Sequence, residues 1–142
     1  MPKTEILDRI KKEKVLALIR ADGPESLTEC AAALSKGGLN AIELTMTTPG
    51  ALKLVAEVSR KMPGILLGLG TVLDAETARA GIAAGAQFIV TPGVRPEVIG
   101  ACNGLEVPNS RAPSRPPRSR WPRSSGRTSS RSSPPSSSAP PI

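Results

Sequence analysis

The sequence predicts an α/β fold, the first half of a (β/α)8 TIM barrel with about four βα units, followed by a disordered Arg/Ser/Pro-rich tail. Three observations lead there. Short apolar runs such as VLALI recur along the first hundred residues, amphipathic stretches alternate with them, and glycine, proline or a capping side chain marks most junctions. Uninterrupted runs of that length fit strands buried on both faces, which is typical of parallel sheets. Strands alternating with helices through short loops give right-handed βαβ units.

Thr4 to Lys14 (TEILDRIKKEK) sets Ile6 and Ile10 one helical turn apart among charges, an amphipathic helix opened by a Thr4 cap. Val15 to Ile19 follows as the first strand. Ser26 to Lys36 returns to helical spacing, and Gly37-Gly38 closes it. Ala41 to Leu44 is the second strand. Thr48-Pro49 starts a helix with proline in its first turn, and Ala51 to Lys61 continues it with Leu52, Val55, Ala56 and Val58 inward. Ile65 to Leu67 is a third strand, Asp74 caps a helix running to about Ala84, Gly85 ends it, and Phe88 to Val90 is a fourth strand. Pro96 to Ala101 begins a fourth helix. Four units are half of an eightfold barrel, whose usual length is about 200 to 250 residues. Alone, an open sheet of this kind leaves two unpaired edges and its inner face uncovered, so the body is expected to be poorly stable.

Composition divides the chain into a barrel half at 1–104 and a low-complexity basic tail at 105–142. The first carries 12 Lys+Arg against 11 Asp+Glu; the second carries seven Arg and one acid, Glu106. The net charge of +7 therefore comes mostly from the tail, and a nucleic-acid partner is a question about the tail alone. No apolar stretch approaches the roughly 18 to 20 residues of a membrane span, and the N-terminus opens with charge. A cytoplasmic body without membrane contact is expected. Cys30 and Cys102 lie far apart, with no CxxC spacing and no histidine in the sequence, so neither a zinc set nor another metal site is predicted. Both cysteines read as core or surface thiols.

In this architecture chemistry gathers where strands end, because the following loops converge on one opening. Strand one ends in Arg20. Strand two carries Glu43 and Thr45, with Thr47 in the next loop; strand three ends in Gly68-Leu69-Gly70-Thr71, and strand four in Thr91-Pro92-Gly93. Glu43 is the sharpest signal. A carboxylate within AIELTM points into a barrel interior, where burial raises its pKa toward that of a useful base; the alternative is a structural glutamate paired with Arg20 or solvated at the mouth. The Gly68–Thr71 turn is suited to binding a carboxylate through its backbone and hydroxyl, or is ordinary loop chemistry. Arg20 clamps an anionic substrate or extends to solvent.

The strings VLALIRAD, GGLNAIELTMTTPGAL, GLGTVLDAETARAGIAAGAQFIVTPGV and RPEVI, agreeing in order and spacing, resemble the N-terminal half of the 2-keto-3-deoxy-6-phosphogluconate and 4-hydroxy-2-oxoglutarate aldolases over roughly residues 4–103. The resemblance implies a class I aldolase that needs no cofactor. It cleaves the phosphogluconate to pyruvate and glyceraldehyde 3-phosphate, or the oxoglutarate to pyruvate and glyoxylate, through a lysine Schiff base with the keto carbon. It also implies that Glu43 shuttles protons and that Thr71 holds the pyruvate carboxylate with help from Gly70. Arg20, Thr47 and Pro92 complete the expected substrate-binding set. Thr47 stands where some members carry an arginine that clamps the carboxylate. The family assembles as homotrimers.

The family's Schiff-base lysine lies on a sixth strand, before a phenylalanine and a proline, and no residue of this chain matches it. The chain as written is therefore expected to be inactive. After Asn103 the pattern gives way to a segment without apolar periodicity, unable to offset its ordering entropy. Read with the third base of each codon joined to the first two of the next, and with third bases chosen freely, Ser110 onward yields FPGALTPTE and Arg127 to Pro134 yields ADVVKIFP. These resemble the family's fifth and sixth strands, with the lysine straddling the codons of Ser130 and Arg131. A frameshift is the expected origin of the tail. The rival expectation is a non-catalytic protein whose arginines bind RNA or another polyanion, with only Trp121 in the tail for base stacking.

Overall fold

A computed structural model of the chain describes residues 1–20 and 24–111. The elements are α1 (Lys3–Glu13), β1 (Ala17–Ile19), α2 (Pro24–Lys36), β2 (Ala41–Thr45), α3 (Ala51–Lys61), β3 (Leu66–Gly70), α4 (Ala75–Ala83), β4 (Phe88–Thr91), α5 (Pro96–Gly104) and β5 (Asn109–Arg111). The five strands form one sheet in the order β1-β2-β3-β4-β5, each parallel to its neighbour. This is a partial α/β barrel: every pair of adjacent strands is joined through a helix, as parallel pairing requires.

Apolar residues one helical turn apart decide which face each helix buries. In α3, Ala51, Leu54, Val55 and Val58 are buried, an i, i+3, i+4, i+7 stripe. They pack with Ile42, Leu44, Leu67, Leu69 and Ile89 on the outer face of the sheet. Leu54 takes the inward place expected of Leu52, which is half-buried, and Ala56 is exposed. Helix α4 opens on Asp74, whose Oδ1 accepts the Thr77 backbone N–H at 2.7 Å while Oδ2 accepts the Thr77 hydroxyl at 2.8 Å. Those bonds, the backbone one first, hold the Asp74 carboxyl below its usual range.

The inner face of the sheet is better covered than an open half-barrel predicts. Ile6 of α1 is buried with Ala41, Leu66, Phe88 and Val90, and Ile10 packs against them. The helix is tied across the lower end of the sheet: the Arg9 guanidinium donates to the Gly64 carbonyl at 2.8 Å, and the Lys3 ammonium donates to Asn103 Oδ1 at 3.1 Å. An amphipathic helix thus closes the N-terminal ends of the strands, where the sequence alone offered it no particular place.

Several boundaries differ from expectation. Pro2, not Thr4, is the N-cap of α1, and no side chain caps that end. Strand β1 begins at Ala17, leaving Val15 and Leu16 exposed before it. Helix α3 starts at Ala51 with Gly50 at its cap in a left-handed conformation, so Pro49 lies ahead of the first turn. The ordered body also continues past residue 104. Val107 is buried, and β5 adds a fifth strand in register with β4, Ile89 opposite Asn109. A three-residue run of Asn, Ser and Arg has no apolar pattern, so nothing in its composition announced a strand. The rest of the tail expected from 105, residues 112–142, lies outside the described residues. Among the described residues, no helix is long and apolar enough to cross a membrane.

The inward stripe of α3 makes a direct test. Leu54→Ala is expected to lower the unfolding free energy by about 2–5 kcal/mol in urea titration, whereas Ala56→Ser shifts it by less than about 0.5 kcal/mol. Equal losses at the two positions would contradict this packing.

Candidate active site

Parallel strands place their C-terminal ends on one side, so Arg20, Thr45, Gly70 and Thr91 all fall at the same edge of the sheet. Register fixes the finer arrangement. Leu18 lies opposite Glu43, Glu43 opposite Gly68, and Gly68 opposite Phe88, one row across four strands. The next row toward the strand ends pairs Thr45 with Gly70.

Glu43 is 4% exposed. Its carboxyl lies against the α-carbon of Gly70: a methyl group there would coincide with Oε1 and sit 2.6 Å from Cδ. Burial lifts the Glu43 carboxyl above its usual value of 4.5, and the charge of Arg20 pulls it partly back. Among the described residues no ion pair within 4.0 Å joins the two, and Arg20 is exposed. The carboxyl is therefore a buried acid under the field of a nearby cation, rather than half of a salt bridge. A group of that kind exchanges protons at a pH nearer neutrality than a free glutamate does.

The loops around it are tied by hydroxyl groups. Thr45, fully buried, shares a hydrogen bond of 2.8 Å with the hydroxyl of exposed Thr47, which fixes the first turn of the β2–α3 loop. The Thr91 hydroxyl donates to the Gly93 carbonyl at 2.7 Å and bends the chain after β4, leaving Pro92 exposed. Thr71, half-buried, has φ 59°, a left-handed conformation that a β-branched residue rarely adopts. Both flanks are pinned: Met46 N–H donates to the Gly70 carbonyl at 2.9 Å, and Val72 N–H donates to the Val90 carbonyl at 3.2 Å. A cavity of about 420 Å³ opens on the β2–α3 loop between Met46 and Lys53; Glu43 does not line it.

The structure thus brings Glu43 and Gly70 into contact and puts Thr71, Thr47 and Pro92 in the loops of the same edge, with Arg20 acting on Glu43 through its charge. Sequence reasoning missed the Thr45–Thr47 bond and the exchange of space between Glu43 and Gly70, and it took Gly68 and Gly70 for part of a turn, whereas main-chain pairing with β2 keeps both in β3. The alternation of Glu43 and Thr45 along β2 signalled the first, since both side chains point to one face.

A family model for KDPG and KHG aldolase matches residues 6–112. The chain is 36% identical over 103 residues to a 2-dehydro-3-deoxy-phosphogluconate aldolase of Treponema pallidum, covering 72% of this chain and 49% of that one. Among solved structures, it superposes on the 2-keto-3-deoxy-6-phosphogluconate aldolase of Zymomonas mobilis ZM4 with a TM-score of 0.70 at 27% identity, covering 77% of this chain and 52% of the other. It superposes on the KDPG aldolase of Legionella pneumophila, captured with pyruvate as a covalent carbinolamine, with a TM-score of 0.63 at 32% identity, covering 66% and 46%. The chain spans about half the length of the curated relatives it matches.

The raised Glu43 carboxyl has a consequence for stability. A carboxyl that holds its proton more tightly in the folded than in the unfolded chain supports the fold below pH 4.5, and that support is lost as pH rises through the folded value. Glu43→Gln is therefore expected to match the parent protein at low pH and to gain stability over it near neutrality. Urea titrations at both ends of that range check it; a variant less stable at pH 7 would show that the carboxylate is stabilised where it sits.

Proposed function

The chain belongs to the KDPG and KHG aldolase family, and from that premise we propose that its body supplies the proton-transfer and carboxylate-binding half of a class I aldolase site. The substrates are keto acids of the 2-keto-3-deoxy-6-phosphogluconate or 4-hydroxy-2-oxoglutarate type, cleaved to pyruvate and an aldehyde. The observation that carries this reading is the Glu43 carboxyl, buried at the strand ends against Gly70 and under the charge of Arg20.

Forming a Schiff base requires a proton to be given to the departing hydroxyl of a carbinolamine, and the aldol step requires one to be moved at the substrate. One carboxyl with a raised pKa serves both by alternating between acid and base. Thr71 and Gly70 hold the substrate carboxylate, Arg20 supplies the positive field, and Thr47 and Pro92 line the mouth. With Thr47 in place of a charged clamp, carboxylate binding falls more heavily on Arg20 and Thr71.

The amine that forms the Schiff base is a different matter. The seven lysines of the sequence all lie between Lys3 and Lys61, on or immediately beside α1, α2 and α3, none on a strand of the sheet. The chain as written has no turnover in this reading, and the tail that follows the matched body is an out-of-frame stretch of a longer aldolase gene. Support comes from the shifted reading ADVVKIFP, which contains a lysine followed by phenylalanine and proline. The parent protein acts in the cytoplasm as a homotrimer. A second reading, polyanion binding by the tail, draws on its seven arginines against one acid. Salt-sensitive RNA binding that disappears on deleting 105–142 would favour it.

Borohydride reduction in the presence of pyruvate is expected to leave no covalent adduct on this polypeptide, by mass spectrometry. The same treatment of a chain expressed from a frame-corrected gene is expected to label one lysine, and Glu43→Ala in that protein to lower turnover by about 10²–10⁴-fold. An adduct on the uncorrected chain, or an unaltered rate in the variant, would overturn the assignment.

A further inference from the structure

Two glycines stand in the middle and at the end of a buried strand, where glycine weakens a sheet by leaving backbone freedom to be lost and no side chain to pack. Backbone conformation does not explain them: the left-handed glycines among the described residues are Gly38, Gly50 and Gly85. Space does. A methyl group on Gly68 would run into the Phe88 ring, 2.6 Å from Cδ2, and one on Gly70 would take the place of the Glu43 carboxyl, 2.9 Å even from Cγ.

The register turns these two contacts into one device. Glu43, Gly68 and Phe88 share a row, so the space above Gly68, next to Glu43, is filled by the Phe88 ring. The Glu43 side chain is kept from lying along its own row and is turned diagonally to the following one, where Gly70 offers room. That diagonal points toward the strand ends and the loops that carry Thr47 and Thr71.

We propose that Gly70, backed by Gly68 and Phe88, is a positioning element that sets the height of the Glu43 carboxyl in the sheet and aims it at the loop end. Gly70 touches Glu43 and acts through it. The proposal rests on Glu43 being the proton-transfer group, and it replaces the expectation that Gly70 serves only as a backbone donor to a substrate carboxylate. Burial at that height also accounts for the lifted carboxyl, since apolar neighbours on the same face, Phe88 among them, withhold water.

The test is made on the full chain by two independent measurements. Carbon-13 NMR of the glutamate side-chain carboxyls, with Glu43 identified by its loss in Glu43→Gln, follows its titration. Gly70→Ala is expected to move that titration down toward the ordinary carboxyl value, because the carboxyl is driven out to water, while Gly100→Ala, whose added methyl meets nothing within 4 Å, leaves it in place. The second measurement is a stability cycle in urea. Gly70→Ala should lower the midpoint when Glu43 is present and leave it nearly unchanged in a Glu43→Ala background, where the contested space is vacant.

Equal losses in the two backgrounds would overturn the proposal, as would a folded Gly70→Ala chain in which Glu43 titrates as before. If Gly70→Ala does not fold, folding of Gly70→Ala/Glu43→Ala supports the proposal and its failure to fold contradicts it. Failure of the functional premise is distinguishable: loss of Glu43 without effect on a frame-corrected enzyme's rate removes the catalytic meaning, while the cycle still reports the packing.

Discussion

A parallel sheet imposes one constraint from which the rest of this structure follows: each strand must be re-entered from the same end, so every return passes through a helix on the outer face. Five strands in sequential order therefore leave all their C-terminal ends on one side. The residues after them, Arg20 after β1, Met46 to Gly50 after β2, Thr71 after β3 and Pro92 after β4, are gathered there without any contact having to bring them together. Packing energy is spent elsewhere. The Leu54–Val55–Val58 stripe of α3 and its partners on the outer face hold the strands, and α1 closes the opposite end with Ile6. One end of the sheet is thus apolar and sealed, and the other is free to be polar.

Glu43 is the place where that division is breached. A carboxyl 4% exposed and without an ion pair among the described residues is costly, because ionisation in a low-dielectric surrounding is opposed by lost hydration. The surrounding side chains do nothing to compensate with a formal charge in contact. They give the carboxyl space, through Gly70, and the field of a cation outside ion-pair distance, Arg20. A structural glutamate would be expected to find a partner; one whose proton must come and go is better left without one.

How much of this was legible in the sequence depended on which physical signal each residue carries. The body and C-terminal end of helix α3 were legible because the apolar spacing matches the helical period, but its start at Thr48-Pro49 was not, and of the residues expected inward Val55 and Val58 are buried while Leu52 gives way to Leu54: the two leucines are equally apolar, and only packing against the sheet selects one. The Asp74 cap was legible because an aspartate before a helical run has one common use. The Thr4 cap was not, since the same type of cue was overridden by a start at Lys3 after Pro2. Strand β5 carries Asn, Ser and Arg and depends wholly on its neighbour: main-chain pairing with β4, which no side-chain pattern encodes, makes it a strand. At the site, the identity of Glu43 was legible as a carboxylate out of place in an apolar run. Its relation to Gly70 was not, because they lie on different strands and only register joins them.

Thr71 shows that the strand ends are held against a local preference. A β-branched residue at φ 59° costs roughly 1–3 kcal/mol, and a glycine would relieve it. The conformation persists because residues on either side are committed: the Gly70 carbonyl to Met46 of the β2 side, and the Val72 amide to Val90 of β4. Val72 is fully buried, so the chain cannot relax by letting that side go. The strain is thus set by pairing between β2, β3 and β4, all within the described residues. The geometry around Glu43 and Thr71 is therefore a property of these three strands.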